Sequence, residues 1–226
     1  MRYAMLLKPH PNVRYRQSLQ KLALIELECI LNACGVVHER PRVEYLADEP
    51  FLMFDAQELD EAAWRAVSGH SAICLAARLQ EDGALQPMRR IPAGWMPDDL
   101  PQVLKYKGKT NADFTYLMLH CARAASAFAH EPGPLRILDP MCGKGTTLMC
   151  ALCEGCDAVG VDMDAKALRE AESYLDRSLK MHRIKHRRTA GALTLPSGGS
   201  AKWSEYALAP DAQIMRTSPL SVRMIH

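Results

Sequence analysis

The chain has 226 residues and a formal net charge of +2, so its overall balance makes no electrostatic claim on nucleic acid. At 48% hydrophobic and 24% charged, its composition excludes a disordered or fibrous chain and fits a globular protein. No apolar run reaches membrane-spanning length, and residues 1–8 lack the length and cleavage pattern of a signal peptide. Eight cysteines without such a signal are expected as reduced thiols in the cytoplasm, with no membrane partner.

Residues 2–8 read as a strand, and Pro9, His10, Pro11 and Asn12 as a turn. Over 16–33 the apolar positions Leu19, Leu22, Ala23, Ile25, Leu27, Ile30 and Leu31 recur at helical spacing, and Gly35 stands at a C-cap position. Residues 36–46 and 51–54 read as strands, 58–68 as a helix carrying Trp64, and 73–79 as a buried strand. The Asp82-Gly83 turn pairs that strand with 85–91. The order over residues 1–91 is β-α-β-β-α-β, which suits a ferredoxin-like domain or another small α+β domain. Pro92, Gly94, Pro97 and Pro101 mark 92–101 as a linker to a second domain over 102–226.

A new pattern opens at Tyr106, where Thr110 or Asn111 caps a helix running to about Phe128. After a Pro/Gly break at 130–134, the short strand Ile137-Leu138 stops at Asp139. Pro140, Met141, Cys142, Gly143, Lys144 and Gly145 form a turn, and Thr146 and Thr147 start a helix. Strand, glycine turn and helix make the first half of a nucleotide-binding βαβ unit. The glycines allow positive φ and close approach of a ligand to the main chain, and the helix start adds unpaired N–H groups.

Three ligand classes use such a turn. A phosphate loop needs Ser or Thr after the lysine, but Gly145 follows Lys144. A dinucleotide site needs a third glycine, but Leu148 stands there. S-adenosylmethionine (SAM) is the third. A second apolar strand, A-V-G-V-D, ends at Asp162, about 20 residues beyond the turn, where a carboxylate can bond both ribose hydroxyls or serve a purely structural role. Asp164 is expected to cap the next helix, with Arg169 and Glu170 on its outer face.

The string D-P-M-C-G-K-G-T-T-L, from Asp139 to Leu148, resembles motif I of the amino-methyltransferases, D-P-[FM]-C-G-[ST]-G-T-[TF]-L, departing from it at Lys144. Together with the element order of the first domain, it resembles the UPF0020 group of tRNA guanine-N2 methyltransferases. That resemblance implies an N-terminal ferredoxin-like domain able to contact RNA, then an incomplete Rossmann-like, doubly wound SAM-binding domain. The segment Lys109-Thr110-Asn111 resembles the group's motif X, which implies that Lys109, Thr110, Asn111 and Phe114 lie near the cofactor. Asp139, Pro140, Met141, Cys142, Gly143, Gly145, Thr146, Thr147, Asp162 and Met163 complete the implied SAM site.

The resemblance implies methyl transfer to an exocyclic amino group of nucleic acid, with guanine N2 of tRNA favoured over adenine N6 or cytosine N4 of DNA. Such enzymes carry a second signature, [DNS]-P-P-[YFW], whose polar side chain orients the target amine and whose aromatic stacks on the base. The nearest string after Asp162 is Thr217-Ser218-Pro219-Leu220, which lacks the second proline and the aromatic. The expectation is therefore a shortened or degenerate methyltransferase, weak or inactive unless a protein partner completes the site. The rival is a non-catalytic SAM- or RNA-binding protein.

Two features need no family. Cys150, Cys153 and Cys156 have the spacing of part of an iron–sulfur run, but no fourth cysteine follows, and helical packing is the expected role. Arg177, Lys180, Arg183, Lys185, Arg187 and Arg188 form a basic run at the end of the helix from 165. It suits RNA phosphates or a solvated helix end, and it lacks interleaved aromatics for base stacking. Beyond it, 192–195 and 203–208 are expected to make one short hairpin.

Overall fold

A computed structural model describes residues 1–9, 13–102, 110–129, 131, 133–196 and 198–226, with the backbone alone for 13–17. The chain is a mixed α/β protein that divides into two compact units, Met1–Ala93 with Tyr116–Glu131, and Gly94–Thr115 with Pro132–His226. None of its described helices is long and apolar enough to cross a membrane.

The first unit runs β1 (Arg2–Leu7), α1 (Val13–Ala33), β2 (Arg42–Leu46), β3 (Glu49–Asp55), α2 (Glu61–Ser68), β4 (Ile73–Leu79) and β5 (Leu85–Met88). Its strands pair antiparallel in the order β2-β3-β1-β4-β5. One sheet face, with Tyr3, Met5, Leu52 and Phe54, packs on Leu27 and Leu31 of α1 and on Trp64 and Val67 of α2. Gly35, at φ +65, ends α1 with the paired bonds of a Schellman cap, Val36 N to Leu31 O and Gly35 N to Asn32 O. The strand expected from residue 36 begins at Arg42, because Pro41 has no N–H to give a ladder and His38 makes an isolated bridge to Ala56. The helix expected from residue 58 begins at Glu61, because Asp60 is its cap and accepts from Ala63 N at 2.8 Å.

A buried carboxylate lies inside this unit. Glu26 of α1 accepts from Ser71 N at 2.8 Å and from the Ser71 hydroxyl, and His120 Nδ1 lies 2.7 Å from it. His70 is fully buried, with Nε2 2.9 Å from Ala23 O and Nδ1 accepting from Ala72 N at 3.1 Å. Burial pushes the Glu26 carboxyl up, but its histidine and serine partners outweigh burial and hold it below the usual carboxylate range.

The second unit holds the start of α3 (Ala112–Ala124), then β6 (Arg136–Asp139), α4 (Thr146–Cys153), β7 (Asp157–Val161), α5 (Ala165–Met181), β8 (Lys185–Thr194), β9 (Ser200–Ala209), α6 (Ala212–Thr217) and β10 (Leu220–Ile225). The sheet order is β6-β7-β10-β9-β8, with β6, β7 and β10 parallel and the β8–β9 hairpin antiparallel. Helix α3 ends at Ala124, short of the expected Phe128, and a turn closed by Ser126 follows.

Three expectations for this unit change. The hairpin is ten residues on each side rather than four to six, because Lys185, Arg187 and Arg188 belong to β8 and not to a helix end. Strand β10 has no counterpart among the elements expected from sequence, and it inserts between β7 and β9 although it comes after both along the chain. Residues 94–101, expected as a linker, pack into the unit. Met96 and Leu100 are buried, Tyr174 Oη donates to Leu100 O, and Cys153 Sγ donates to Pro97 O at 3.3 Å. A Cβ on Gly94 would stand 2.5 Å from Cys153 O and 2.7 Å from Gly155 N, so the strap needs glycine there.

Candidate functional site

β6 and β7 run parallel in register, with Asp139 beside Gly160, so both strands release their chains at the same sheet end. There Asp139 Oδ1 accepts from Met141 N at 3.0 Å, and Cys142 N donates to Val161 O at 3.0 Å. Gly143 (φ +52) and Gly145 (φ +79) supply the left-handed steps that turn the chain into α4. Gly145 N donates to Cys142 O at 2.8 Å, closing the turn.

Asp162 reaches this turn from the end of β7. Its Oδ2 accepts from Gly143 N at 2.6 Å and its Oδ1 from Asp164 N at 2.8 Å. Asp164 caps α5 as expected, accepting from Lys166 N and Ala167 N. One carboxylate thus ties the glycine turn to the start of α5. Lys144, the departure from the motif, pairs with Glu170 on α5. That contact holds the Glu170 carboxyl below its usual range.

Behind the turn, Cys142 packs onto Gly160. A Cβ on Gly160 would stand 2.7 Å from both Cys142 Sγ and Leu148 Cδ1. Burial, then the charges of Asp139 and Asp162, push the Cys142 thiol up to about 12. The thiol, buried against Gly160 and Leu148, serves as a packing group. Gly160 was not singled out from sequence, although a glycine inside a strand pattern signals close approach of other atoms.

The remaining expected residues divide in three. Thr146 is buried in the first turn of α4, with Thr147 partly exposed, and Met141 and Met163 are 82% and 96% exposed beside the turn. Pro140 is exposed between Asp139 and Met141. Asn111 caps α3, its side chain accepting from Asp113 N at 2.7 Å and Phe114 N at 3.3 Å. The buried Cys150 Sγ of α4 donates to Ala112 O at 3.9 Å, which brings the start of α3 beside α4. Thr110 and Phe114 are exposed there. Lys109 lies outside the described residues.

Cys150, Cys153 and Cys156 are all buried and each faces a different backbone carbonyl, of Ala112, Pro97 and Glu154.

The arrangement has a chemical bias. The N–H groups of Met141, Cys142, Gly143 and Gly145 all donate inside the protein, and Asp139 and Asp162 flank the turn. A phosphate cradle needs those N–H groups pointed at the ligand. This turn instead offers carboxylate and open space, since a side chain on Gly143 would meet no atom within 4 Å.

No family model matches the chain, and no curated protein matches it.

Proposed function

We propose that the second unit is the SAM-binding, Rossmann-like part of an amino-methyltransferase acting on nucleic acid, with tRNA guanine N2 the favoured target. The observation that carries this reading is the pair of carboxylates, Asp139 and Asp162, flanking a glycine turn in which the N–H groups of Met141, Cys142, Gly143 and Gly145 donate inside the protein, a setting that suits a cationic sulfonium ligand better than phosphate. The parallel β6–β7 pair, with Asp139 and Asp162 at its released end, supports the same reading. In the first unit, the strand order β2-β3-β1-β4 supports the ferredoxin-like reading and a role in RNA contact.

The residues fit the cofactor. Each Asp162 oxygen accepts one backbone bond and keeps a second acceptor position for a ribose hydroxyl. Gly143 leaves the turn surface bare, Gly145 packs against Leu148 and Ala171, and Thr146 and Thr147 begin the helix below it. Bound SAM supplies a methyl group on a sulfonium to an amine nucleophile. The chain's own part is to hold the adenosyl group and keep the electronegative turn in shape through Asp162.

A non-catalytic SAM-binding role is the second reading, favoured by the lack of a [DNS]-P-P-[YFW] string among the 226 residues. Calorimetry with SAM and with ATP tests the cofactor assignment. SAM should bind and ATP should not. The reverse preference, or no SAM binding, overturns it. Methyl transfer from radiolabelled SAM to tRNA then separates the enzyme from the binding protein.

A further inference from the structure

The second sheet has one face covered by helices and another, open face that is partly exposed, except at Ala209 at the end of β9, which is buried. Side chains alternate along strands, so register sorts them. Ser204, Tyr206 and Leu208 of β9, Val222 and Met224 of β10, and Ala158 and Gly160 of β7 are buried on one face. Helices α4 and α5 cover that face: Leu148 meets Gly160, and Glu172 bonds Ser204 and Arg188. Every alternate residue on the other face of β7 and β10 is partly exposed, as are Trp203, Glu205 and Ala207 of β9.

On the open face the indole of Trp203 lies across Gly191, its cross-strand neighbour. A Cβ at Gly191 would stand 2.8 Å from Trp203 Cζ2, so a bare residue is needed for the ring to lie flat. The Arg223 guanidinium sits 5.2 Å from the centre of that ring and bonds Glu205 at 2.8 Å. Alternation splits the basic run. Arg188 turns to the covered face, over Tyr206 and bonded to Glu172, while Lys185 and Arg187 fall on the open face and are exposed. On the part of this face built by β8, β9 and β10, Lys185, Arg187 and Arg223 are the cations and Glu205 is the carboxylate.

We propose that this open face binds single-stranded nucleic acid, with a base stacked on the Trp203–Arg223 pair and phosphates held by Lys185 and Arg187. A flat aromatic with an adjacent guanidinium on a sheet is a stacking platform that tolerates any base. The excess of cations suits a polyanion and makes binding salt-sensitive. The basic run has no aromatics of its own, and the sheet supplies one from β9, a strand away. The inference does not depend on SAM, because none of these residues belongs to the glycine turn.

The test uses the full chain without SAM and a fluorescein-labelled oligouridylate of about 15 nucleotides, read by anisotropy against salt. Binding should weaken with salt. Arg187→Glu should weaken it about tenfold and lower the salt slope by about one, whereas Arg169→Glu, an equal charge change on α5, should leave it unaltered. Trp203→Ala should cost about tenfold with little change in slope. Arg187 lies on an exposed strand, so its variant stays informative even where Trp203→Ala fails to fold. Equal losses from Arg187→Glu and Arg169→Glu would mean diffuse electrostatics and overturn the proposal. Absence of oligonucleotide binding overturns it too, as does sedimentation showing that the face is buried in a dimer that Arg187→Glu dissociates. A chain that binds the oligonucleotide but not SAM refutes the cofactor reading and leaves this one standing.

Discussion

Asp162 Oδ2 accepts a hydrogen bond from Gly143 N at 2.6 Å, so the carboxylate that ends β7 holds the glycine turn that follows β6. The two residues are 19 apart in sequence, and the parallel register of the strands brings them together. Asp162 is therefore a turn-holding group before it is a ligand contact. Asp162→Asn cannot accept both backbone bonds, since its amide nitrogen only donates. The variant should lose about 1.5–3 kcal/mol of stability with no ligand present, measured by urea unfolding. A midpoint equal to that of the parent chain would show that the tether contributes nothing.

Gly160→Ala should destabilise the second unit by about 1–3 kcal/mol, because its methyl would press on Cys142 Sγ and Leu148 Cδ1 at 2.7 Å. Thermal unfolding of the single variant and of Gly160→Ala with Cys142→Ala checks the cause. The double variant should recover part of the loss, and additive losses would point to another source.

Gly94→Ala should free the strap over residues 94–101. The added carbon would meet backbone at 2.5 Å and 2.7 Å, which no side-chain rotation relieves. Limited proteolysis should then cut within the strap of the variant while the parent resists. Equal cleavage of both would mean that the strap is loose already.

Glu26→Gln removes a buried anion whose neighbours are arranged to donate to it. The loss should be about 1–3 kcal/mol, because the amide nitrogen of glutamine cannot accept and leaves one of those donors unmatched. The sign of the pH dependence follows from the direction of the shift. A carboxyl held below its unfolded value adds stability that is complete above the ordinary carboxylate range and is lost as pH falls through the lowered value. Acid unfolding curves should show the parent losing stability over that window and Glu26→Gln losing less of it. Parallel curves would sink the assignment.

Much of the local structure is legible from residues close together along the chain. The apolar spacing of α1, the Schellman glycine at Gly35, the Asp164 cap and the strand–glycine turn–helix order from Asp139 to Thr146 were all legible, because each depends on residues within a turn or two of chain. What the sequence could not show depended on distant partners. Gly94 reads as linker punctuation, and its role is set by Cys153 and Gly155. β10 gave no signal of its rank in the sheet, since order in a sheet is not order in a chain. The basic run reads as a helix end with no aromatic near it, and pairing of β8 with β9 brings Trp203 to its side. Asp162 reads as a ribose acceptor by its spacing, while the fold gives both its oxygens to backbone N–H groups first. The physical reason is common to all four: spacing along the chain sets torsion and periodicity, but the partner of a polar or bare backbone position is chosen by packing.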